Sequence, residues 1–289
     1  MAESMTTSAS IIARPASRRV LPGFGITMGA TLFFLCLVVL LPVAALVLKA
    51  SGIGLQRFVA ILSAPRTVAA IEVTVFAAAC ATALNAIYGL LMAWVLVRIR
   101  FPGRAILDGL VDLPFALPTS VAGVALTALF AGNGWFGQWL EPMGIKVAYA
   151  FPGVVIAMAF TSAPFVIRTV QPVLEDIQPE YEEAAATLGA KPWQIFRRVV
   201  FPGIMPAYIT GLSLAFARCL GEFGAVIFIA GNLPMKTEIA ALLIFIRLEE
   251  FDYQAAAAIA TVLLAAAFLL LLTVNIIQAW HLRYVDRAN

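Results

Sequence analysis

The sequence predicts an all-α protein, a polytopic membrane bundle of six transmembrane helices. Three observations carry this. Of 289 residues, 62% are hydrophobic and only 12% charged, with a mean hydropathy of +0.97. Charge-poor apolar runs close to the ~20 residues that a bilayer core requires recur along the chain. The charges collect between those runs. Soluble domains of ordinary composition are far less apolar. The formal net charge of +3 is small, so no nucleic-acid partner is expected.

Residues 1–19 are polar, with Ser8, Ser10 and Ser17 among Arg14, Arg18 and Arg19. They read as a cytoplasmic extension ahead of a membrane domain spanning residues 20–289, because no small-residue cleavage site closes a short apolar region. Six spans follow: Ile26–Leu48, Val73–Val97, Leu113–Ala131, Val147–Ile167, Pro206–Ala230 and Ala255–Trp280. The third is the shortest, and the fifth is interrupted by Arg218 and Glu222. Pro114, Pro118 and Pro164 lie in or at the ends of spans, where a proline frees a carbonyl and bends the helix. Trp135, Trp139, Trp193 and Trp280 fit interfacial anchors.

Lys and Arg set the orientation, since an excess marks the cytoplasmic side. The two termini and the second and fourth connections hold twelve, against six in the other connections. Both termini are therefore predicted to be cytoplasmic.

The fourth connection, residues 168–202, is too charged to span and reads as helix, tight turn, helix. Glu180, Glu182 and Glu183 suit a first turn, where the helix dipole favours anions. Gly189 can supply the left-handed residue that ends the first helix, and Pro192 suits the opening of the second. Arg197 and Arg198 would then occupy the last turn of that second helix. The run Ala184, Ala185, Ala186 leaves one face nearly bare, which lets a partner's cleft approach the backbone while the flanking acids fix orientation. The bland alternative is an amphipathic loop lying on the membrane.

Catalytic constellations are missing from the sequence: it holds no G-x-x-x-x-G-K-[ST], G-x-S-x-G or H-E-x-x-H pattern. If ATP drives the protein, another polypeptide must bind it. Cys36, Cys80 and Cys219 each sit in an apolar run without C-x-x-C spacing, and there is a single histidine, so neither a disulfide framework nor a metal site is expected. Ionisable groups inside spans are functional candidates by default, which singles out Arg218 and Glu222. Four residues apart, they share a helix face. An Arg partly neutralised by a Glu would offer an anion positive potential without a deep trap. An ion pair that only makes two charges tolerable is the competing reading.

The pattern Glu183-Ala184-Ala185-x3-Gly189-x9-Val199-x-Phe201-Pro202 resembles the E-A-A-x3-G-x9-I-x-L-P signature of the permease subunits of ABC importers. Val199 and Phe201 are conservative departures. The resemblance implies a type I ABC importer permease (MetI-like) fold in which this segment is the coupling helix that docks in a groove of a cytoplasmic ATPase. Glu182, Glu183, Ala184, Ala185, Gly189 and Pro202 would be its coupling residues.

Three further stretches, Asp112–Thr119, Arg168–Val173 and Leu220–Asn232, are similar to sulfate/thiosulfate permeases of the CysT type, the likeness running from about Arg19 to Arg283. What this implies is ATP-driven import of sulfate and thiosulfate across a bacterial inner membrane. It also implies three kinds of partner: a second homologous permease subunit, two ATP-binding cassette subunits holding ATP and Mg, and a periplasmic sulfate-binding protein. This chain would bind no cofactor itself and would not be an enzyme. The Leu220-Gly221-Glu222-Phe223-Gly224-Ala225 stretch is shared with molybdate permeases, so a molybdate or tungstate permease is the first alternative, and an ion-coupled secondary carrier the second.

Overall fold

In a computed structural model, the protein is described over residues 24–286, the side chains to residue 276. The predicted extension over residues 1–19, Arg287 and the side chains of Trp280 and Arg283 lie outside this description. Residues up to Leu46 form one unit and residues from Val47 onward another, and each is taken by itself. Among the described residues every regular element is helical.

The first long helix, α1 (Phe24–Ser51), carries no charge before Lys49 in its last turn, and none of its residues before Val47 is buried. Such a helix suits a lipid environment. It contains a π-turn at Cys36–Leu40, closed by the Leu41 N–H reaching back to the Cys36 carbonyl. Pro42 follows at once. Its missing N–H leaves a carbonyl of the preceding turn without a donor, and the widened turn absorbs the defect.

The second unit takes in the last residues of α1 from Val47 and continues with α2 (Leu55–Leu62) and α3 (Pro65–Arg98), followed by three short helices: α4 (Arg104–Val111), α5 (Leu113–Ala116) and α6 (Thr119–Phe130). A helical turn at Gly137–Leu140 leads to α7 (Phe151–Asp176) and α8 (Pro179–Thr187). Then come α9 (Pro192–Leu220), α10 (Val226–Ile229), α11 (Ala240–Glu249) and α12 (Tyr253–Asp286).

The centre of the bundle is the trio α3, α7 and α9, which pack most extensively on one another. Small residues allow it: Ala70, Ala77, Ala78, Ala81, Gly89 and Ala93 make up most of the buried stripe of α3. A Cβ on Gly89 would lie 2.7 Å from Val166 Cγ1, so α3 and α7 are in backbone-close contact there. Buried polar groups tie the same trio. Asn85 Nδ2 donates to the Ala159 carbonyl (3.0 Å) and Ser162 Oγ (2.8 Å), and Cys219 Sγ lies 3.2 Å from that Ser162 oxygen.

Among the described residues five helices are long and apolar enough to cross a membrane, at Phe24–Ser51, Pro65–Arg98, Phe151–Asp176, Pro192–Leu220 and Tyr253–Ile276. The expected third span, Leu113–Ala131, is instead two short helices separated at Leu117-Pro118. Leu117 is extended (φ −80, ψ 134) because the Pro118 ring disfavours helical geometry in the residue before it. The expected fifth span, Pro206–Ala230, stops at Leu220, and α10 begins only at Val226. Helix α9 instead starts earlier, at Pro192, and runs through a π-turn at Phe196–Val200 into the apolar segment. Arg197 and Arg198 therefore lie inside a continuous helix rather than in the last turn of a separate one. The fourth span also continues to Asp176, so only residues 177–191 stand clear of the long helices.

Candidate functional site

The helix, turn, helix of the insert forms as its residues dictate. Glu180 and Glu182 occupy the first turn of α8, with Glu183 one position beyond. Gly189 adopts φ +82, and two bonds close the helix end: Gly189 N–H to the Ala186 carbonyl (2.9 Å) and Ala190 N–H to the Ala185 carbonyl (3.1 Å). This 5→2 and 6→1 pairing satisfies orphan carbonyls and needs the left-handed residue that glycine supplies. Pro192 then opens α9, where Gln194 Oε1 accepts the Lys191 N–H at 2.8 Å.

No residue of α8 is buried, and Leu188 at its tip is 89% exposed. Ala185 and Gly189 line a depression of about 350 Å³ together with Leu188, Gln194, Arg198 and Val199. Glu183 and Ala184 are exposed on the same helix, whereas Pro202 stands further along α9, after the π-turn. Five of the six predicted coupling residues are thus together, and Pro202 serves instead where the insert passes into the bundle. As at Pro42, the π-turn precedes a proline: the Phe201 N–H reaches the Phe196 carbonyl immediately before Pro202.

The second candidate group lies at the far end of α9, roughly 40 Å from Pro192 at 1.5 Å per residue. Arg218 is in the last turn, where the dipole favours a cation, and Glu222 is past the helix end. Arg218 Nη1 lies 2.7 Å from Glu222 Oε2, close but without hydrogen-bond alignment. The other oxygen accepts the Ala225 N–H at 2.9 Å. Glu222 is 1% exposed, and about a third of the Arg218 side chain is open. The pair therefore sits at a helix break and not within a continuous span. Buried Glu222 organises the break, and Arg218 offers free guanidinium surface beside it.

This break abuts the other one. A Cβ on Gly224 would overlap Thr119 Oγ1 and come within 2.9 Å of Thr119 Cβ, and one on Gly123 would collide with the Ala225 backbone. The start of α6 and the segment Gly221–Ala225 thus touch backbone to backbone. Arg168 makes a further junction. It donates from Nε and Nη2 to Asp112 (2.8 and 2.7 Å), from Nη1 to Asp108 and Gln171 (2.6 and 2.7 Å), and from Nη2 to the Asp108 carbonyl. The three stretches singled out in the sequence, Asp112–Thr119, Arg168–Val173 and Leu220–Asn232, are therefore one connected structure.

Sequence reading missed Arg98, which faces Glu182 at 2.5 Å (Nη2 to Oε1), and the Arg66–Glu238 pair. Their partners are remote in sequence, and no local spacing announces them. A cleft of about 380 Å³ lies away from Arg218, between Leu84, Tyr88, Leu126, Phe130, Ile156 and Phe160. Its walls are apolar apart from Asn85 and Tyr88, which suits packing or lipid better than a dianion.

Residues 85–287 match the family model described as the binding-protein-dependent transport system inner membrane component. The sulfate transport system permease protein CysT of Escherichia coli (strain K12) is 56% identical over 264 residues, 91% of this chain and 95% of that protein. Its counterpart from Salmonella typhimurium is 57% identical over the same shares. Among solved structures, a chain of a bacterial ABC transporter involved in the import of the acidic polysaccharide alginate matches with a TM-score of 0.72 at 18% identity, covering 89% of this chain and 94% of that one. That likeness shows the fold, which is that of type I ABC importer permeases.

Proposed function

This chain belongs to the binding-protein-dependent transport system inner membrane component family, and on that premise we propose that it is the permease subunit of an ATP-driven importer of sulfate. As a family member it is an integral inner-membrane permease. The observation that carries the substrate is the identity of more than half of 264 aligned residues, 91% of this chain, with sulfate permeases. Thiosulfate, a tetrahedral dianion of similar shape, is a second substrate in this reading.

The insert faces the cytoplasm and receives an ATP-binding cassette subunit. ATP and Mg are held by that partner, and this chain supplies the docked helix. A second, homologous permease subunit completes the path, a second cassette subunit docks on it, and a periplasmic binding protein delivers the anion. Because the second arm of the insert and the apolar segment are one helix, α9, a push on α8 passed through the turn at Gly189 is carried along that helix towards the break at Gly221–Ala225. There Arg218 presents a guanidinium partly neutralised by Glu222, which attracts a dianion without trapping it.

The test is uptake of labelled sulfate in proteoliposomes holding the whole complex and the binding protein, with thiosulfate and molybdate as competitors. Sulfate uptake that stops when the cassette ATPase is inactivated is the expected result. Uptake surviving that inactivation but abolished by collapsing an ion gradient would overturn the ATP-driven reading. Molybdate outcompeting sulfate at equal concentration would replace the substrate.

A further inference from the structure

We propose that Arg98 is a positioning residue that clamps the first insert helix, α8, to the end of α3, so that a partner pressing on the insert moves α3 and α9 together. This rests on the reading of the insert as the docking point of a cassette ATPase. It adds a second route for the movement, besides the chain continuity into α9.

Apolar packing does not hold α8 in place. It has no buried residue, and a nine-residue helix is marginal alone in water. What ties it down besides its chain links to α7 and α9 is Glu182. Its Oε1 lies 2.5 Å from Nη2 of Arg98, the last residue of α3, and the two side chains are only 26% and 21% exposed. The Glu182 oxygen and the Arg98 Nε and Nη2 atoms are buried without aligned hydrogen bonds, so the charge of each group is compensated across this contact.

Arg98 is itself held. Its guanidinium lies 5.9 Å from the centre of the Trp94 ring, one turn back on the same face of α3. The Trp94 ring meets Phe196 edge-on (5.4 Å, 80°), and Phe196 stacks on Trp193 (5.5 Å, 24°). One turn of α3, Trp94 to Arg98, thus grips both arms of the insert: α8 by charge and the first turns of α9 by aromatic contact. From there α3 reaches the core, where it packs along α7 and α9 and where Tyr208 Oη donates to its Ala86 carbonyl at 2.9 Å.

An exposed ion pair of this kind is ordinarily worth little. Burial of the facing atoms and the indole beneath the guanidinium are what distinguish this one. Two readouts test it. The first needs no partner: hydrogen exchange of the α8 amides in the purified permease should accelerate about fivefold in Arg98→Glu and return to within about twofold of wild type in the swap Arg98→Glu/Glu182→Arg. The second uses the complete importer in proteoliposomes and counts sulfate ions imported per ATP hydrolysed. Arg98→Glu should lower this ratio about fivefold, and Arg98→Lys, which keeps the charge and leaves Glu182 untouched, should retain most of it.

Unchanged exchange in Arg98→Glu overturns the clamp. Altered exchange with an unchanged import ratio overturns its role in coupling. A swap that exchanges as fast as the single variant also overturns the pair. If the swapped chain fails to assemble, Arg98→Lys decides: it keeps the charge, so exchange as fast as in Arg98→Glu counts against the clamp. Failure of a cassette ATPase to copurify with the wild-type chain is a separate result. It would remove the docking reading and leave the exchange prediction standing.

Discussion

Helix α3 carries an arginine near each end, and the two are held in different ways. At one end Arg66 Nε and Nη2 donate to both oxygens of Glu238 (2.9 and 2.7 Å), and Glu238 is 1% exposed. A second bond joins the same elements, from the Ala240 N–H to Thr74 Oγ1 at 2.8 Å. At the other end Arg98 meets Glu182 through a single unaligned contact on a helix that buries nothing. The forked pair has geometry and desolvation in its favour, and the single contact has neither in full. The chemistry is the same and the mechanical meaning differs: α3 is anchored at Glu238 and tethered at Glu182. Under the proposed function, in which a partner presses on the insert, this gives α3 a firm end to pivot on and a compliant end to take the load.

The largest effect should come from breaking the anchor. Arg66→Ala leaves a buried carboxylate uncompensated and should lower stability by roughly 2–3 kcal/mol, somewhat less than a fully enclosed pair because Arg66 is partly open. Arg66→Ala/Glu238→Gln should recover much of the loss. Thermal unfolding in detergent is the measurement, and an unchanged melting temperature in Arg66→Ala would erase the contrast between the two ends.

Next in size is the pair beyond α9. Arg218→Gln should cost about 2 kcal/mol, because Glu222 keeps only the Ala225 N–H. The variant Arg218→Gln/Glu222→Gln separates the two readings of this pair. If Arg218 serves the anion, the double variant regains folded yield while sulfate flux stays about tenfold down, the loss expected for one charge-assisted contact. If it is only Glu222's counterion, flux returns with the fold.

Smaller again is Gly224→Ala, which forces a methyl group onto Thr119 and should cost about 1–2 kcal/mol by overpacking. Thr119→Ala in the same chain should give part of this back. Smallest is Gly189→Ala. Space around Gly189 is open, so the penalty is the left-handed backbone alone, about 1 kcal/mol, read as fraying of α8 in hydrogen exchange. A cost at Gly189 exceeding that at Arg66 would invert the proposed order of firm and compliant ends.

The sequence announced α1, α3, α7 and α12 through their apolar runs, and the insert through residues that dictate backbone shape. Gly189 and Pro192 act locally, so their consequences could be read without a structure. Helix ends were read less well. Helix α3 starts at Pro65 and α7 ends at Asp176, well beyond the hydrophobic stretches, because hydrogen bonding and capping set a helix's length while hydropathy marks only the part that meets lipid. Pro118 was visible as a bend, but Leu117 being driven extended turned that bend into a full break. Nothing in the sequence joined Arg98 to Glu182 or Arg66 to Glu238. Such pairs exist only once folding brings remote segments together.

The π-turn at Phe196–Val200 puts the two halves of α9 out of phase. Each residue of an α-helix advances the side-chain direction by about 100°, and a π-turn carries roughly one residue more than the turn it replaces. The residues after the turn are therefore turned by nearly a third of a rotation from where an uninterrupted α-helix would place them relative to Trp193. Pro202 fixes this angular setting as a key fixes a gear to its shaft. Removing one residue from the turn would leave every side chain of the membrane segment chemically intact and aim all of them in the wrong direction.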